Sequence, residues 1–512
     1  MNARCLLTVL LLVALPAVVF AGDWPMWGHD ASRNMVTDEK GLPDSFDVGK
    51  LAAGSEEVDM ATTKSVKWVA KLGSQAYGNP VVAGGKVFVG TNNESPRNPR
   101  LKGDRGVLMC LDEKTGKLLW QLAAPKLGTG KISDWEYLGI CSSPAVEGNR
   151  VYIVTNRCEV MCLDANGLAD GNQGPFTDEG QYLAGPGKPP ETPGPTDADI
   201  IWRFDMREEL GVFPHNITAS GPLVIGDRVV VATSNGVDWT HTNIPNPKAP
   251  CLAMLDKNTG ALVGEEGSGV GARTLHSNWS SASGGKINGQ DLVIFGAGDG
   301  WCYGYSTDPV KDASGNAILK ELWRYDCDPL RYRMKDGKPI KYATPEGPSE
   351  VIATPVFYKN RVYVPIGQDP EHGEGLGNFS CFDATKSGDV TKTATVWSYD
   401  KIHRSLSTPS IVDGLAYVPD FSGFVHCLDA ETGHPYWVFD TKAHIWGSTM
   451  VADGKVYFGT EDGDFYILAA GKQQKVIRKI DMRSPVYSTP VAANGTLYVA
   501  TPTHLYAIGK SM

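Results

Sequence analysis

The chain has 512 residues, with 48 Lys and Arg against 58 Asp and Glu, and a formal charge of −10. Its cations are scattered and form no basic block, which excludes a duplex nucleic-acid surface, where clustered Lys and Arg must meet phosphates. The 58 glycines, 33 prolines and 13 tryptophans indicate many turns between short strands, so repeats have to be sought before domains are counted.

Met1 to Ala21 carries one early cation, Arg4, followed by an apolar run from Leu6 to Phe20. The run is short for a bilayer span and nothing comparable follows it, so residues 1–21 read as a secretory signal cleaved after Ala21. Cys5 lies inside the signal, so it cannot be a lipidated first residue of the mature chain. The expected product is periplasmic or secreted, without a membrane span or lipid anchor. Nine cysteines remain. Cys110, Cys162, Cys381 and Cys427 recur in MCLD, MCLD, SCFD and HCLD, equivalent positions that read as small buried hydrophobes rather than disulfide partners. A Cys141–Cys158 bridge has no motif to support it.

After a lead segment, residues 22–63, one pattern recurs eight times across residues 64–510. An apolar strand enters a two-residue turn, a β-branched and aromatic strand follows, then a second turn and a third strand. The first turn is the ruler, because two-residue hairpins need residues that tolerate positive φ. It reads Gly84-Gly85, Gly148-Asn149, Gly226-Asp227, Asn288-Gly289, Lys359-Asn360, Asp413-Gly414, Asp453-Gly454 and Asn494-Gly495; Lys359-Asn360 is the weak member. A fourth strand carries Trp120, Trp202, Trp323, Trp397 or Trp437, with Gly264 at the corresponding place in the third repeat and no tryptophan in the seventh. The eighth repeat ends after its third strand, and the spare amino-terminal strand KWVAKL, Lys67 to Leu72, is expected to complete it. Four antiparallel strands per repeat, closed around an axis, predict an all-β, eight-bladed β-propeller.

LDEKTGKLLW (Leu111 to Trp120) and LDAETGHPYW (Leu428 to Trp437) resemble the repeat signature of pyrroloquinoline-quinone (PQQ)-type propellers, in which the Trp docks against the neighbouring blade. The opening DWPMWGHDASRN, Asp23 to Asn34, is similar to the lead segment of quinoprotein alcohol dehydrogenases. The resemblance implies the fold; the repeat encodes blade packing, and the same propeller carries both quinone enzymes and assembly scaffolds. A PQQ- and calcium-dependent oxidoreductase is the alternative to a binding scaffold. The chain lacks the vicinal Cys-Cys pair often found above the quinone, its calcium ligands do not map, and it has no Cys-x-x-Cys-His haem site. No catalytic residue is assigned.

A site is expected where the insertions fall, on the face holding the between-blade connections and the long loops 92–105, 235–249 and 367–378. His215 lies seven residues before Pro222, His276 seven before Ser283, His403 six before Pro409 and His444 six before Met450. These four therefore share a repeat position beside the channel mouth. His241 and His372 sit on the decorated loops of that face, with Asn216, Asp238, Trp279, Asp369, Glu374, Arg404 and Trp446 near them in sequence. Three roles suit the pattern: imidazoles bonded to backbone at blade junctions, a pocket for a polar or anionic ligand with tryptophan walls, or ligands of a metal. No zinc-type spacing is present, and equivalent atoms of four blades are expected to stand too far apart for one ion. The expected partner is a small polar ligand or another exported protein.

Overall fold

The computed structural model describes residues 22–510; the expected signal and its cleavage point lie outside the described residues. The architecture is all-β, and the three α-helices among the described residues have four to six residues each. No helix there is long and apolar enough to cross a membrane.

Each repeat folds into an antiparallel meander. The first contains Val81–Ala83, Lys86–Asn92, Arg105–Asp112 and Leu118–Pro125, paired in chain order. Four-stranded sheets of the same order open at Ala145, Val356, Ser410 and Met450. The third and fourth repeats share one larger sheet, because their outermost strands, Leu262–Glu266 and Ala317–Asp326, run parallel and pair at Glu265↔Ile318 and Glu266↔Leu319. The last sheet joins the two ends of the chain. Val66–Lys71 pairs antiparallel with His504–Ile508, which continues to Thr496–Ala500 and Val491–Ala493.

The turn residues behave as their chemistry requires. Six of the eight first turns have positive φ at both positions, and Gly148 and Gly226 supply it at the first position alone, the two arrangements that suit the twist of a hairpin. Lys359-Asn360 adopts φ values of 51° and 62°; Asn360 tolerates this and Lys359 does not favour it, so pairing of the flanking strands overrides local preference at Lys359.

Successive sheets pack face to face, and the tryptophans weld them. Trp68 donates its indole N–H to the Glu113 carbonyl, Trp120 to Ala165, Trp202 to Lys257, Trp397 to Ala430 and Trp437 to Gly471. Each acceptor lies in the next repeat. The Gly of the Thr-Gly turn is what lets the ring dock: a Cβ on Gly116 would sit 2.5 Å from Trp68 and one on Gly260 2.6 Å from Trp202. Trp323 departs from the pattern, its buried N–H having no acceptor. The cysteines of the MCLD-type motifs pair across from these tryptophans, as in Cys110↔Trp120 and Cys427↔Trp437. All nine cysteines among the described residues are free, Cys141 and Cys158 included.

The residue two places before each innermost strand links neighbouring repeats. Backbone N–H groups donate from Asn79 to Ser143 Oγ, Gly221 to Ser281 Oγ, Thr354 to Thr408 Oγ1, Thr408 to Ser448 Oγ, Ser448 to Thr489 Oγ1, and Thr489 back to Asn79 Oδ1. The circuit misses two links. Gly221 has no side chain to accept one, and Thr354 Oγ1 instead accepts the indole N–H of Trp27 at 3.1 Å.

Trp27 belongs to the lead segment, which crosses the face formed by the two-residue turns. On its way it pairs with Val82 through Trp24, with Val146 through Pro25, with Gly284 through Ala31, with Phe357 through Ser32 and with Val451 through Met35. Asn34 exchanges two hydrogen bonds with Ile411, and Glu39 accepts from the Gly495 N–H. Arg33, fully buried, donates to the carbonyls of Ala282, Trp27 and Pro222. The segment thus ties down the turn face of every repeat.

Candidate functional site

At the opposite end the innermost strands begin around a cavity of about 370 Å³. Its walls include Tyr77, Trp135, Ile217, Trp279, Leu406 and Trp446, with Asn216, Asp369 and Glu371 as the polar contributors. A smaller polar space of about 130 Å³ continues below it, bounded by Asn79, Ser143, Ser281 and Thr408 of the hydrogen-bonded circuit and by Trp27 of the lead segment. The result is a funnel, aromatic at the mouth and polar at the base.

A histidine cluster stands at one side of this mouth. His215 and His276 are buried, and their Nε2 atoms face each other at 2.5 Å. His241 lies on the loop after Gly236, and one ligand atom from each of these three rings falls within 4.8 Å of the others. The His372 ring centroid is 5.0 Å from that of His276, and its buried Nδ1 has no partner. Asp369 Oδ2 lies 4.0 Å from His276 Nε2. Gly236 makes the convergence possible, because a Cβ there would come within 2.4 Å of the His276 carbonyl and 2.8 Å of the His215 Cβ.

The surrounding bonds fix these rings. His215 Nδ1 stands 2.7 Å from the Val237 carbonyl, which only an N–H can satisfy. His276 Nδ1 is 3.2 Å from Tyr342 Oη, and Tyr342 is bonded in turn to the buried Glu350. Trp279 covers both imidazoles, with ring centroids 5.4 Å from His276 and 6.0 Å from His215. Asp238 accepts from Thr240 and Asn243 and so shapes the loop that carries His241. Arg404, buried, donates to the carbonyls of Thr344, His372 and Gly373, holding the His372 loop in place. Burial pushes His215 down to about 4 and Asp369 up to about 6. Burial together with the neighbouring imidazoles lowers His276 to about 2, and burial raises Glu350 to about 8.

The shared repeat position holds only in part. Strand onsets place Ala282 and Thr449, not Ser283 and Met450, at the proline position of the other repeats, so the four histidines spread over three offsets. His215 and His276, from adjacent repeats, meet. His403 instead bonds Asp420 through Nδ1 at 3.1 Å. His444 bonds Glu461 at 3.1 Å, stacks on Phe421, and lies 3.4 Å from the exposed Glu374. Trp446 lines the cavity from that side and donates to Glu461. The separation expected for atoms of all four repeats is thus bridged for one pair, with His241 and His372 added by loops. Tyr342, Glu350, Tyr77, Trp135 and Trp27 had no repeat signal to single them out.

Asp420 gives the neighbouring corner a measurable charge dependence. Burial alone would raise its carboxyl, but bonds from His403 and His426 hold it down to about 2. A carboxylate depressed in the folded state stabilises the fold above its unfolded value of 3.8, and that contribution fades as pH falls through about 2. It corresponds to about 2 kcal/mol at neutral pH. Asp420→Asn is expected to lower the unfolding free energy by that amount at pH 7, with the gap to the parent protein narrowing between pH 4 and pH 2 in acid-titrated urea melts.

The family model described as outer membrane protein assembly factor BamB matches residues 100–274 and 380–476, more than half of the chain. A quinohemoprotein alcohol dehydrogenase of Comamonas testosteroni is 27% identical over 111 residues, 19% of this chain and 16% of that protein, so the match spans a small part of that relative's length. Among solved structures, BamB from Moraxella catarrhalis superposes with a TM-score of 0.52 at 14% identity, covering 86% of this chain and 96% of the other. A europium-containing methanol dehydrogenase gives 0.59 at 12% identity, covering 96% and 98%. At these identities the structural likeness speaks to fold alone, a β-propeller. By the extent of the family match, this chain belongs to the PQQ-like repeat β-propellers of the BamB-type family.

Proposed function

We propose that the protein is an exported, eight-bladed propeller that binds a ligand or a protein segment in the funnel of its loop-bearing face. Residues 1–21 serve as its signal, residues 22–63 as a strap across the turn face, and residues 64–510 as eight four-stranded blades closed by the strand Val66–Lys71. The link from Thr489 back to Asn79 and the pairing of Val66–Lys71 with His504–Ile508 support a single closed ring. N-terminal sequencing of the mature protein is expected to begin at Gly22.

One observation carries the binding reading: the aromatic-walled cavity opens at the loops and leads to a polar base that Trp27 helps to line. Concave apolar walls with a few convergent polar groups are the usual form of a binding site. Trp239, 71% exposed two residues before His241, adds the kind of aromatic surface that anchors partners. The BamB-type family membership is consistent with a protein partner.

The charge of the cavity bears on the ligand. Its lining contains Asp369 and Glu371 and no Lys or Arg, which is unfavourable for an anionic guest. Pyrroloquinoline quinone, a tricarboxylate, does not fit that lining, so no step through it is derived. The funnel suits a neutral or cationic group, or an apolar side chain of a partner. A photo-crosslinking amino acid at Leu406 is expected to capture one discrete partner in the exporting cell, and Trp279→Ala with Trp446→Ala to abolish the capture. The same group at Asn494, on the turn face, is expected to capture none. Dye reduction after loading with the quinone and Ca²⁺ would contradict the reading.

A further inference from the structure

We propose that His215, His241 and His276 hold a divalent transition-metal ion of the zinc class, with its open coordination position on the side of Asp369 and the axial cavity. This inference does not depend on the binding reading above, since the funnel could take a partner with or without an ion at its rim.

The donor chemistry comes first. The Val237 carbonyl 2.7 Å from His215 Nδ1 fixes the proton on that nitrogen, so Nε2 presents a lone pair. That lone pair points at His276 Nε2, 2.5 Å away, inside a buried space. With Tyr342 giving its proton to Glu350, the Tyr342 oxygen accepts from His276 Nδ1, and the second Nε2 is bare as well. Two such lone pairs repel unless a cation lies between them. Metal-bound imidazoles are characteristically held this way, the far nitrogen bonded to a carbonyl or a carboxylate-linked group that sets tautomer and orientation.

The surroundings go beyond what a hydrogen-bonded pair needs. His241 brings a third nitrogen within 4.8 Å, and His372 offers a buried Nδ1 that nothing satisfies. Asp369 contributes a carboxylate 4.0 Å from His276 Nε2. Nitrogens sharing one zinc at about 2.0–2.1 Å stand about 3.3 Å apart in a tetrahedral shell. The His215–His276 pair therefore opens slightly and His241, on an exposed loop, closes in. An imidazole set selects Zn²⁺ or Cu²⁺ over Ca²⁺, which takes oxygen ligands. Three protein nitrogens with one position left free is the composition of a metal that meets a ligand rather than one that only braces a fold.

The test is calorimetric titration of chelator-stripped mature protein with Zn²⁺ alone, with Ca²⁺ in parallel and Co²⁺ as a spectroscopic probe. The expected result is one Zn²⁺ per chain, no Ca²⁺ uptake, and the visible bands of four-coordinate Co²⁺. His241→Ala, at an exposed position that leaves the fold intact, is expected to weaken Zn²⁺ on the order of 100-fold. His276→Gln should abolish binding, while His434→Ala on a distant turn should leave it unchanged. Absence of saturable Zn²⁺ uptake by the parent protein, or uptake that survives both cluster substitutions, would overturn the proposal.

Discussion

Deleting residues 22–72 is expected to leave a chain that does not accumulate as a soluble folded protein. The deletion removes Val66–Lys71, which covers the edge of His504–Ile508, and with it Trp68, whose ring docks on Gly116 and donates to Glu113. An unpaired strand with a row of free N–H and C=O groups is a template for aggregation. The same deletion takes away Trp27, Arg33 and Asn34, so the carbonyls of Ala282, Pro222 and Ile411 lose their donors. These losses together rival the roughly 5–15 kcal/mol that keeps an ordinary domain folded. Expression of the truncated chain with its signal retained, followed by fractionation and thermal melting, checks it. Soluble protein with an unchanged melting temperature would show that the ring closes without the amino-terminal strand.

The second large effect is expected for Trp120→Ala, a loss of about 3–5 kcal/mol for truncating a buried tryptophan. Trp120 is 1% exposed, packs its ring against Phe88 at 6.0 Å between centroids, and donates to Ala165 across the sheet interface. Alanine would leave a cavity between two sheets and an unpaired carbonyl. The hydrogen bond can be separated from the packing. Trp120→Phe loses both some volume and the bond, whereas Trp323→Phe loses no bond because that N–H has no acceptor. Trp120→Phe should therefore cost more, by about 1 kcal/mol, in urea unfolding. A loss below about 1 kcal/mol for Trp120→Ala would contradict the interface described for it.

Much of the fold was legible because the repeat copies the residues that build it. Two-residue turns, the Thr-Gly corner, its docking Trp and the strand missing from the last repeat are all local and periodic. The parallel pairing of Glu265 and Glu266 with Ile318 and Leu319 was not, since the alternating pattern of a strand does not name its neighbour. The site was legible in outline and misaligned in detail. Ala282 and Thr449 replace the proline that marks strand onset elsewhere, and a one-residue slip followed. His403 and His444 occupy nearly the right register, but Asp420 and Glu461, charges the repeat does not encode, capture them. Tyr342 and Glu350 come from a between-repeat insertion without periodicity, and Trp27 and Arg33 from a segment whose destination depends on contacts hundreds of residues away. The make-up of the cavity wall, aromatic with Asp369 and Glu371 and no Lys or Arg, was not legible either, because most of its residues come from loops outside the repeat.

Diffraction at the zinc absorption edge from crystals of the mature protein soaked in Zn²⁺ tests most directly whether His215, His241 and His276 hold a metal ion at the cavity mouth. A single anomalous peak is expected about 2.0–2.1 Å from Nε2 of His215 and His276, with His241 drawn toward it and the cavity open beside it. A protein crystal that takes up zinc at other residues, or leaves those two nitrogens in direct contact with no peak between them, would contradict it.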